Sequence, residues 1–263
     1  MVDFVELIAL LAAFCIVAMA AAWAVQRATG NAGWVDAVWS FATAIAGVIA
    51  ALAPKSGAIA ARQILVAVLI AAWGLRLGLH IARRSAGGHE DVRYSALRAQ
   101  WGAGFEWRMF WFLQIQAAAA FLLSLAILLA ARNPAGFGLL DGLGALVLLA
   151  AVLGEATADR QLRAFKAQPK NRGAVCDVGL WAWSRHPNYF FEFLVWCACP
   201  LFAISAAWPW GWASLLAPVL MYWLLAHASG IPPLEAAMRK SRGAAYVAYQ
   251  QRTAAFFPRP PKI

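Results

Sequence analysis

Nine residues, Ser184-Arg-His-Pro-Asn-Tyr-Phe-Phe-Glu192, bring anion-binding and acidic side chains to the start of a strongly apolar segment. A helix that begins here has Ser184 at its N-cap and Pro187 in its first turn, where the N–H that proline lacks is not needed. Arg185 and His186 then lie beside the backbone N–H groups at the positive end of the helix dipole. This spacing predicts an anion site that suits phosphate.

The same helix carries an acidic residue into its apolar part. Asn188 and Glu192 are four residues apart and therefore share one helix face. Glu192 lies more than one turn into a segment that stays apolar to about Ala206. Because a carboxylate is costly at membrane depth and usually functional there, we expect Glu192 to line a polar cavity below the anion site.

A second charged face follows an apolar stretch upstream. Glu155, Asp159 and Arg163 recur every four residues, and Lys166 is adjacent to them. One face of a helix is therefore acidic and then basic as the helix leaves the apolar region. Salt pairing within the helix explains part of this pattern, but it does not explain the depth of Glu155.

Three further features each leave two interpretations open. Asp36 either stabilises a helix N-terminus or lines a cavity with Trp34 and Trp39. Arg76 either extends to the membrane surface or pairs with an internal carboxylate or a bound anion. The loop Gly87–Tyr94, with both charge signs and a tyrosine, is either a solvated loop or a ligand-binding loop.

Composition sets the class of protein. The chain has 263 residues, of which 63% are hydrophobic and 13% are charged, whereas a soluble domain is about a quarter charged. The net charge of +10 does not indicate nucleic-acid binding, because the basic residues cluster in interhelical and terminal segments. The four cysteines have no metal-ligand spacing and are interpreted as small core residues.

The apolar segments predict an all-α, polytopic membrane protein with seven transmembrane helices, at about residues 4–26, 34–53, 63–83, 109–131, 137–157, 185–206 and 208–228. Of the 22 Lys and Arg residues, 19 follow spans one, three, five and seven, and only Lys55, Arg62 and Arg132 lie on the other side. By the positive-inside rule, the N-terminus is outside and the C-terminus is cytoplasmic. We expect residues 1–263 to form a single transmembrane domain, capped by loops 84–108 and 158–184 and by tail 229–263.

The motifs of several soluble enzymes are missing from the sequence. There is no glycine-rich dinucleotide turn, no Walker lysine motif, no zinc spacing and no Gly-x-Ser-x-Gly nucleophile. The residues alone therefore predict an integral membrane protein with a cytoplasm-facing, phosphate-binding polar cavity and without a metal site. They do not specify a reaction.

A larger set of motifs resembles the bacterial branch of the steroid 5α-reductase family, strongly over residues 73–260. The motifs are Glu90-Asp91-x-Arg93-Tyr94, Ala158-Asp159-Arg-Gln-Leu162, Gly179-Leu-Trp181, Ser184-Arg-His-Pro-Asn-Tyr189 with Glu192, Ser229-Gly-Ile-Pro with Leu234-Glu235, Tyr246-x-x-Tyr249 and Thr253-Ala-Ala-Phe-Phe-Pro258. The resemblance implies a seven-helix membrane reductase that transfers a hydride from NADPH to a carbon–carbon double bond conjugated to a ketone, in a hydrophobic substrate such as a 3-oxo-steroid or another lipid enone.

The resemblance also implies roles for individual residues. Asp36 falls near the position of an acidic residue that faces the substrate ketone, where a protonated carboxylic acid can stabilise the developing enolate. The residues implied for cofactor binding are Arg76, Arg84, Glu90, Asp91, Arg93, Tyr94, Glu155, Asp159, Arg163, Lys166, Arg185, His186, Asn188, Tyr189, Glu192 and Glu235.

Two alternative functions stay open from the sequence. Membrane methyltransferases of the isoprenylcysteine carboxyl type carry a similar Arg-His-Pro-x-Tyr element, so an S-adenosylmethionine-dependent methyltransferase is one alternative. A non-catalytic transporter or assembly factor is the other. In the favoured interpretation, the protein lies in the bacterial inner membrane with its active site facing the cytoplasm. It takes a hydrophobic substrate from the bilayer and binds no nucleic acid.

Overall fold

The computed structural model describes residues 4–88 and 90–261 and is helical, with no β-strand in that part of the chain. His89 of the predicted ligand-binding loop and Lys262 of the tail lie outside the described residues. The α-helices are α1 (Phe4–Thr29), α2 (Gly33–Leu52), α3 (Ala60–Ala86), α4 (Val92–Trp101), α5 (Phe105–Ala131), α6 (Leu139–Ala167), α7 (Leu180–Trp183), α8 (Pro187–Ala203), α9 (Leu216–Trp223), α10 (Ile231–Arg242) and α11 (Ala244–Arg252). Short 3₁₀-helices occupy Gly102–Gly104, Pro169–Asn171 and Pro209–Leu215, and a π-helix occupies Leu224–Ala228.

The all-α membrane fold class is confirmed at the level of apolar helices. Six helical segments in the described chain are long and apolar enough to cross a membrane: Phe4–Thr29, Gly33–Leu52, Ala60–Ala86, Val92–Ala131, Leu139–Ala167 and Pro209–Arg242. The predicted sixth span corresponds to α8, which has 17 residues. The predicted seventh span is not one regular helix, because it runs through the 3₁₀-helix, α9 and the π-helix.

The described residues separate into two compact units. The first takes residues from Met1–Leu146 and Cys197–Ala217, and the second takes residues from Val147–Trp196 and Pro218–Ile263. The predicted single transmembrane domain stays a prediction.

The first unit is built on close contacts of α2 with its helical neighbours. Its core contains large apolar side chains of α1 and α5, such as Leu11, Met109 and Leu113, together with alanines of α2, such as Ala46. A Cβ atom at Gly74 of α3 would overlap the Cβ of Ala44 on α2. Small residues at this crossing let the two backbones approach closely, as is usual between membrane helices.

A buried ion pair fixes one end of the first unit. Arg62, 2% exposed, bonds Asp141 through Nε at 2.6 Å and through Nη2 at 2.8 Å. Its Nη1 donates to the carbonyl oxygens of Asn133 at 2.6 Å and Ala135 at 2.8 Å. These bonds satisfy the guanidinium inside the protein, which is the condition for a buried charge to be tolerated.

In the second unit, α6 and α8 pack closely. A Cβ atom at Gly154 would overlap the ring of Phe191, so the absence of a side chain on α6 makes room for this phenylalanine. The indole N–H of Trp181 on α7 donates to the carbonyl oxygen of Ala158 on α6 at 3.0 Å. These contacts bring the charged part of α6 and the start of α8 into one compact unit.

Candidate functional site

The residue at the N-cap of α8 differs from the one that was predicted. Because α8 begins at Pro187, the N-cap position falls on His186, and the assignment of this cap to Ser184 was wrong. Ser184 is extended, with φ −141° and ψ 145°. Its hydroxyl accepts from the backbone N–H of His186 at 3.1 Å and donates to the carbonyl oxygen of Phe256 at 2.9 Å. The C-terminal segment thus engages Ser184 just before α8 begins.

The predicted anion-binding residues already hold a carboxylate of the chain itself. Arg185 Nε donates to Glu235 Oε1 at 2.7 Å, and His186 Nε2 lies 3.3 Å from the same oxygen. Gln250 Nε2 donates to Glu235 Oε2 at 2.6 Å. The structure therefore brings the predicted site residues Arg185, His186 and Glu235 together. Their contact with a cofactor stays a prediction.

The acidic residue of α8 is buried, as its position in an apolar helix predicts. Glu192 is 5% exposed, and its Oε1 accepts a hydrogen bond from the indole N–H of Trp196 at 3.0 Å. Asn188 lies one turn before it on the same face. Tyr189 stacks on the His186 ring, with centroids 5.6 Å apart and planes 15° apart.

The charged face of α6 changes from buried to exposed along its length. Glu155 and Asp159 are buried, whereas Arg163 and Lys166 are exposed. The helix continues to Ala167, about ten residues beyond the predicted end of the span. All four side chains therefore lie on one continuous helix. Its acidic part is inside the second unit and its basic part is at the surface.

In the first unit, Asp36 is held by two residues of the predicted ligand-binding loop and the helix that follows it. Arg93 Nη2 donates to Asp36 Oδ2 at 2.5 Å, and the Tyr94 hydroxyl donates to Asp36 Oδ1 at 2.6 Å. The Asp36 side chain is 19% exposed, whereas Tyr94 is 2% exposed. Asp36 therefore forms an acid–tyrosine pair that is charge-compensated by an arginine.

The other charged residues of this loop bind one another. Asp91 accepts from Arg93 Nε at 2.9 Å and from Arg84 Nη2 at 3.1 Å. Burial alone would raise the pKa of the Asp91 carboxyl, but the charge and hydrogen bonds of Arg93, with help from Arg84, hold this pKa below its ordinary value. Glu90 accepts from the backbone N–H of Ala32 at 3.2 Å, so it ties the loop to the start of α2.

The predicted cofactor-binding residues of the first unit are thus not all together. Arg84, Asp91 and Arg93 form one network with Asp36, and Glu90 makes separate bonds beside it. Arg76 lies half-buried on α3, one of the helices that pack against α2.

Two partners were missed by sequence reasoning. The Asp36–Tyr94 bond joins residues 58 apart in the chain, and no local pattern reveals such a pair. The Trp196–Glu192 bond has i,i+4 spacing on one helix, so the helical period could have revealed it.

The chain belongs to the family described as "Protein of unknown function (DUF1295)", whose model matches residues 22–253. This family is associated with steroid 5α-reductase-like proteins. No curated protein matches the chain, and no solved structure matches it. The family match covers every predicted site residue.

Proposed function

We propose that this protein is an NADPH-dependent membrane reductase, which reduces a carbon–carbon double bond conjugated to a ketone in a hydrophobic substrate. The observation that carries the proposal is the burial of Glu192 one turn from Asn188 on an apolar helix. An ionisable group in that setting is retained for function. Membership of a family associated with 5α-reductase-like proteins supports the choice of reaction.

The second unit has the side chains that a dinucleotide needs. Buried carboxylates accept hydrogen bonds from ribose hydroxyls and from a carboxamide, and in this proposal Glu155, Asp159 and Glu192 take that role. The exposed cations Arg163 and Lys166 suit the phosphates. When bound, NADPH supplies a hydride for the β carbon of the enone.

In this proposal Asp36 is the acid that faces the substrate ketone. The Tyr94 hydroxyl donates a hydrogen bond to Asp36 at 2.6 Å, and Asp36 is the more exposed of the two side chains. In this proposal Asp36 passes a proton that comes from solvent to the substrate carbonyl oxygen. After donation, Asp36 is a carboxylate again, and its ion pair with Arg93 stabilises that state.

The proposal predicts an assay result. Protein purified into lipid nanodiscs is supplied with NADPH and a panel of lipid enones, including a 3-oxo-Δ4-steroid and an unsaturated isoprenoid ketone. We expect NADPH oxidation and a product that is two hydrogens heavier by mass spectrometry. Transfer of a methyl group from S-adenosylmethionine, with no oxidation of NADPH, would overturn the proposal.

We also propose seven spans in the bacterial inner membrane, with the N-terminus outside and the cofactor residues on the cytoplasmic side. α8, with 17 residues, is at the lower limit of about 17–25 for a spanning helix. Charge asymmetry supports the orientation, with 19 of the 22 Lys and Arg residues on one side. Single cysteines at Arg172 and Lys55 test it in whole cells. An impermeant thiol reagent should label the Lys55 position and leave the Arg172 position unlabelled.

A further inference from the structure

The C-terminal segment Thr253–Arg259, here called the strap, runs beside the residues that lead into α8. The backbone N–H of Arg185 donates to the Ala254 carbonyl oxygen at 2.8 Å, and Ser184 and Ala254 form a parallel bridge. The backbone N–H of Arg259 donates to the Trp183 carbonyl oxygen at 2.9 Å. The strap is therefore hydrogen-bonded along residues 183–185.

The Ser184 hydroxyl connects the strap to His186, the residue immediately before α8. Ser184 is fully buried, and its hydroxyl donates to the strap carbonyl of Phe256 at 2.9 Å, with Ala255 at 3.2 Å. The same oxygen accepts from the backbone N–H of His186. A buried hydroxyl that bonds on both sides in this way is costly to remove, because both buried partners lose a hydrogen bond.

The Arg185 guanidinium also holds the strap. Its Nη1 donates to the carbonyl oxygens of Thr253 at 2.5 Å and Gln250 at 3.1 Å, and its Nε bonds Glu235. Only about a tenth of this side chain is exposed. Three hydrogen bonds of the Arg185 guanidinium thus join this residue to α10, α11 and the strap.

The strap also supports the rear face of α8. Phe256 is buried, and its ring lies 6.3 Å from Phe190 and 5.7 Å from Phe193. At 100° per residue, these two phenylalanines lie on the face of α8 opposite to Asn188 and Glu192. The strap therefore contacts α8 on the side away from its polar residues.

We propose that the strap is a positioning element, which fixes the backbone from Ser184 into the first turns of α8 and thereby sets the direction of Asn188 and Glu192. In this assignment Ser184 and Arg185 are positioning residues that act through the strap. The assignment rests on the proposed cofactor role of Asn188 and Glu192.

The test uses the full-length protein in nanodiscs with the substitution Ser184→Ala. Ser214→Ala is the matched control, because Ser214 is also fully buried and its hydroxyl also donates to a backbone carbonyl, that of Gly211 at 2.6 Å. Ser184→Thr is the rescue variant, since it keeps the hydroxyl and its extended backbone suits a β-branched residue. Amide hydrogen exchange over residues 185–190 and the kinetic constants for NADPH are measured for each.

For Ser184→Ala we expect exchange over residues 185–190 to become about tenfold faster. The KM for NADPH rises by about tenfold with kcat changed less than about twofold, as expected for lost positioning of binding groups. Ser184→Thr restores both, and Ser214→Ala changes neither. Unchanged exchange overturns the proposal, and so does faster exchange with an unchanged KM. If the wild-type protein does not bind NADPH, the proposed function fails, and exchange over residues 185–190 alone decides whether the strap fixes α8.

Discussion

Replacing Asp36 with asparagine tests the proposed proton donor. The change keeps the size of the side chain and keeps an oxygen that can accept from Tyr94, but it removes the charge that pairs with Arg93 at 2.5 Å. Both partners of this ion pair are about one-fifth exposed, and Arg93 keeps its bond to Asp91, so the loss costs about 2 kcal/mol of stability. The protein should therefore fold, and any large effect should be on the reaction.

The expected effect on the reaction is much larger than the effect on stability. Asparagine cannot transfer a proton to a carbonyl oxygen, and loss of a positioned general acid lowers kcat by about 10²–10⁴-fold. The KM for NADPH should stay within about threefold, since Asp36 is assigned to the substrate.

The assay follows NADPH oxidation in nanodiscs with the best enone of the panel. Glu106→Gln is the control, because Glu106 is another carboxylate of the first unit that bonds a neighbouring side chain, Gln26 at 2.8 Å, and has no assigned role in the reaction. We expect Glu106→Gln to keep wild-type kcat. If Asp36→Asn turns over within about threefold of wild type, the assignment of Asp36 is refuted.

Three further predictions concern cofactor binding and stability. Glu192→Gln should weaken NADPH binding by about 10–100-fold, as measured by calorimetry, because a hydrogen bond to a charged group is replaced by a neutral one; wild-type affinity would contradict the cofactor role. Asp91→Asn should destabilise the protein by about 1 kcal/mol at pH 7, and its N-cap bond should persist because Asn caps equally well. Because the pKa of Asp91 is lowered, the stabilisation of the fold by its carboxylate is present at pH values above the ordinary pKa of an aspartate and is lost as the pH falls through the lowered pKa. The melting temperatures of wild type and variant should therefore converge below about pH 4. A difference in melting temperature that stays constant with pH would exclude a charge effect. Arg62→Met should lower stability by about 3 kcal/mol in detergent melts, because the buried Asp141 loses its partner; a melt like that of wild type would show that this ion pair is dispensable.

Much of the fold follows from hydropathy and helical period. Apolar runs predict the positions of α1, α2 and α3 to within about three residues. The continuation of α6 beyond its apolar part was predicted from the four-residue spacing of Glu155, Asp159 and Arg163, and the helix runs to Ala167. The segment predicted as the seventh span lies in the candidate span Pro209–Arg242, but the sequence has no local marker for the π-helix that it contains at Leu224–Ala228.

The candidate site was predictable where its residues share a helix. The i,i+4 spacing placed Asn188 and Glu192 on one face, and an apolar setting predicted the burial of Glu192. Contacts between distant segments were not predictable. The bonds of Arg185 to Glu235 and Thr253, which follow it by 50 and 68 residues, were not predicted, and its contact with a ligand anion stays a prediction. A single sequence does not show whether an arginine pairs with a carboxylate elsewhere in the chain or with a ligand.

The most direct test of the account is native mass spectrometry of the purified protein after incubation with equal concentrations of NADPH and S-adenosylmethionine. We expect a single adduct with the mass of NADPH, and we expect it to be depleted in Glu192→Gln. An adduct with the mass of S-adenosylmethionine, or an NADPH adduct of equal intensity in both proteins, would contradict the assignment of a dinucleotide to the carboxylates of α6 and α8.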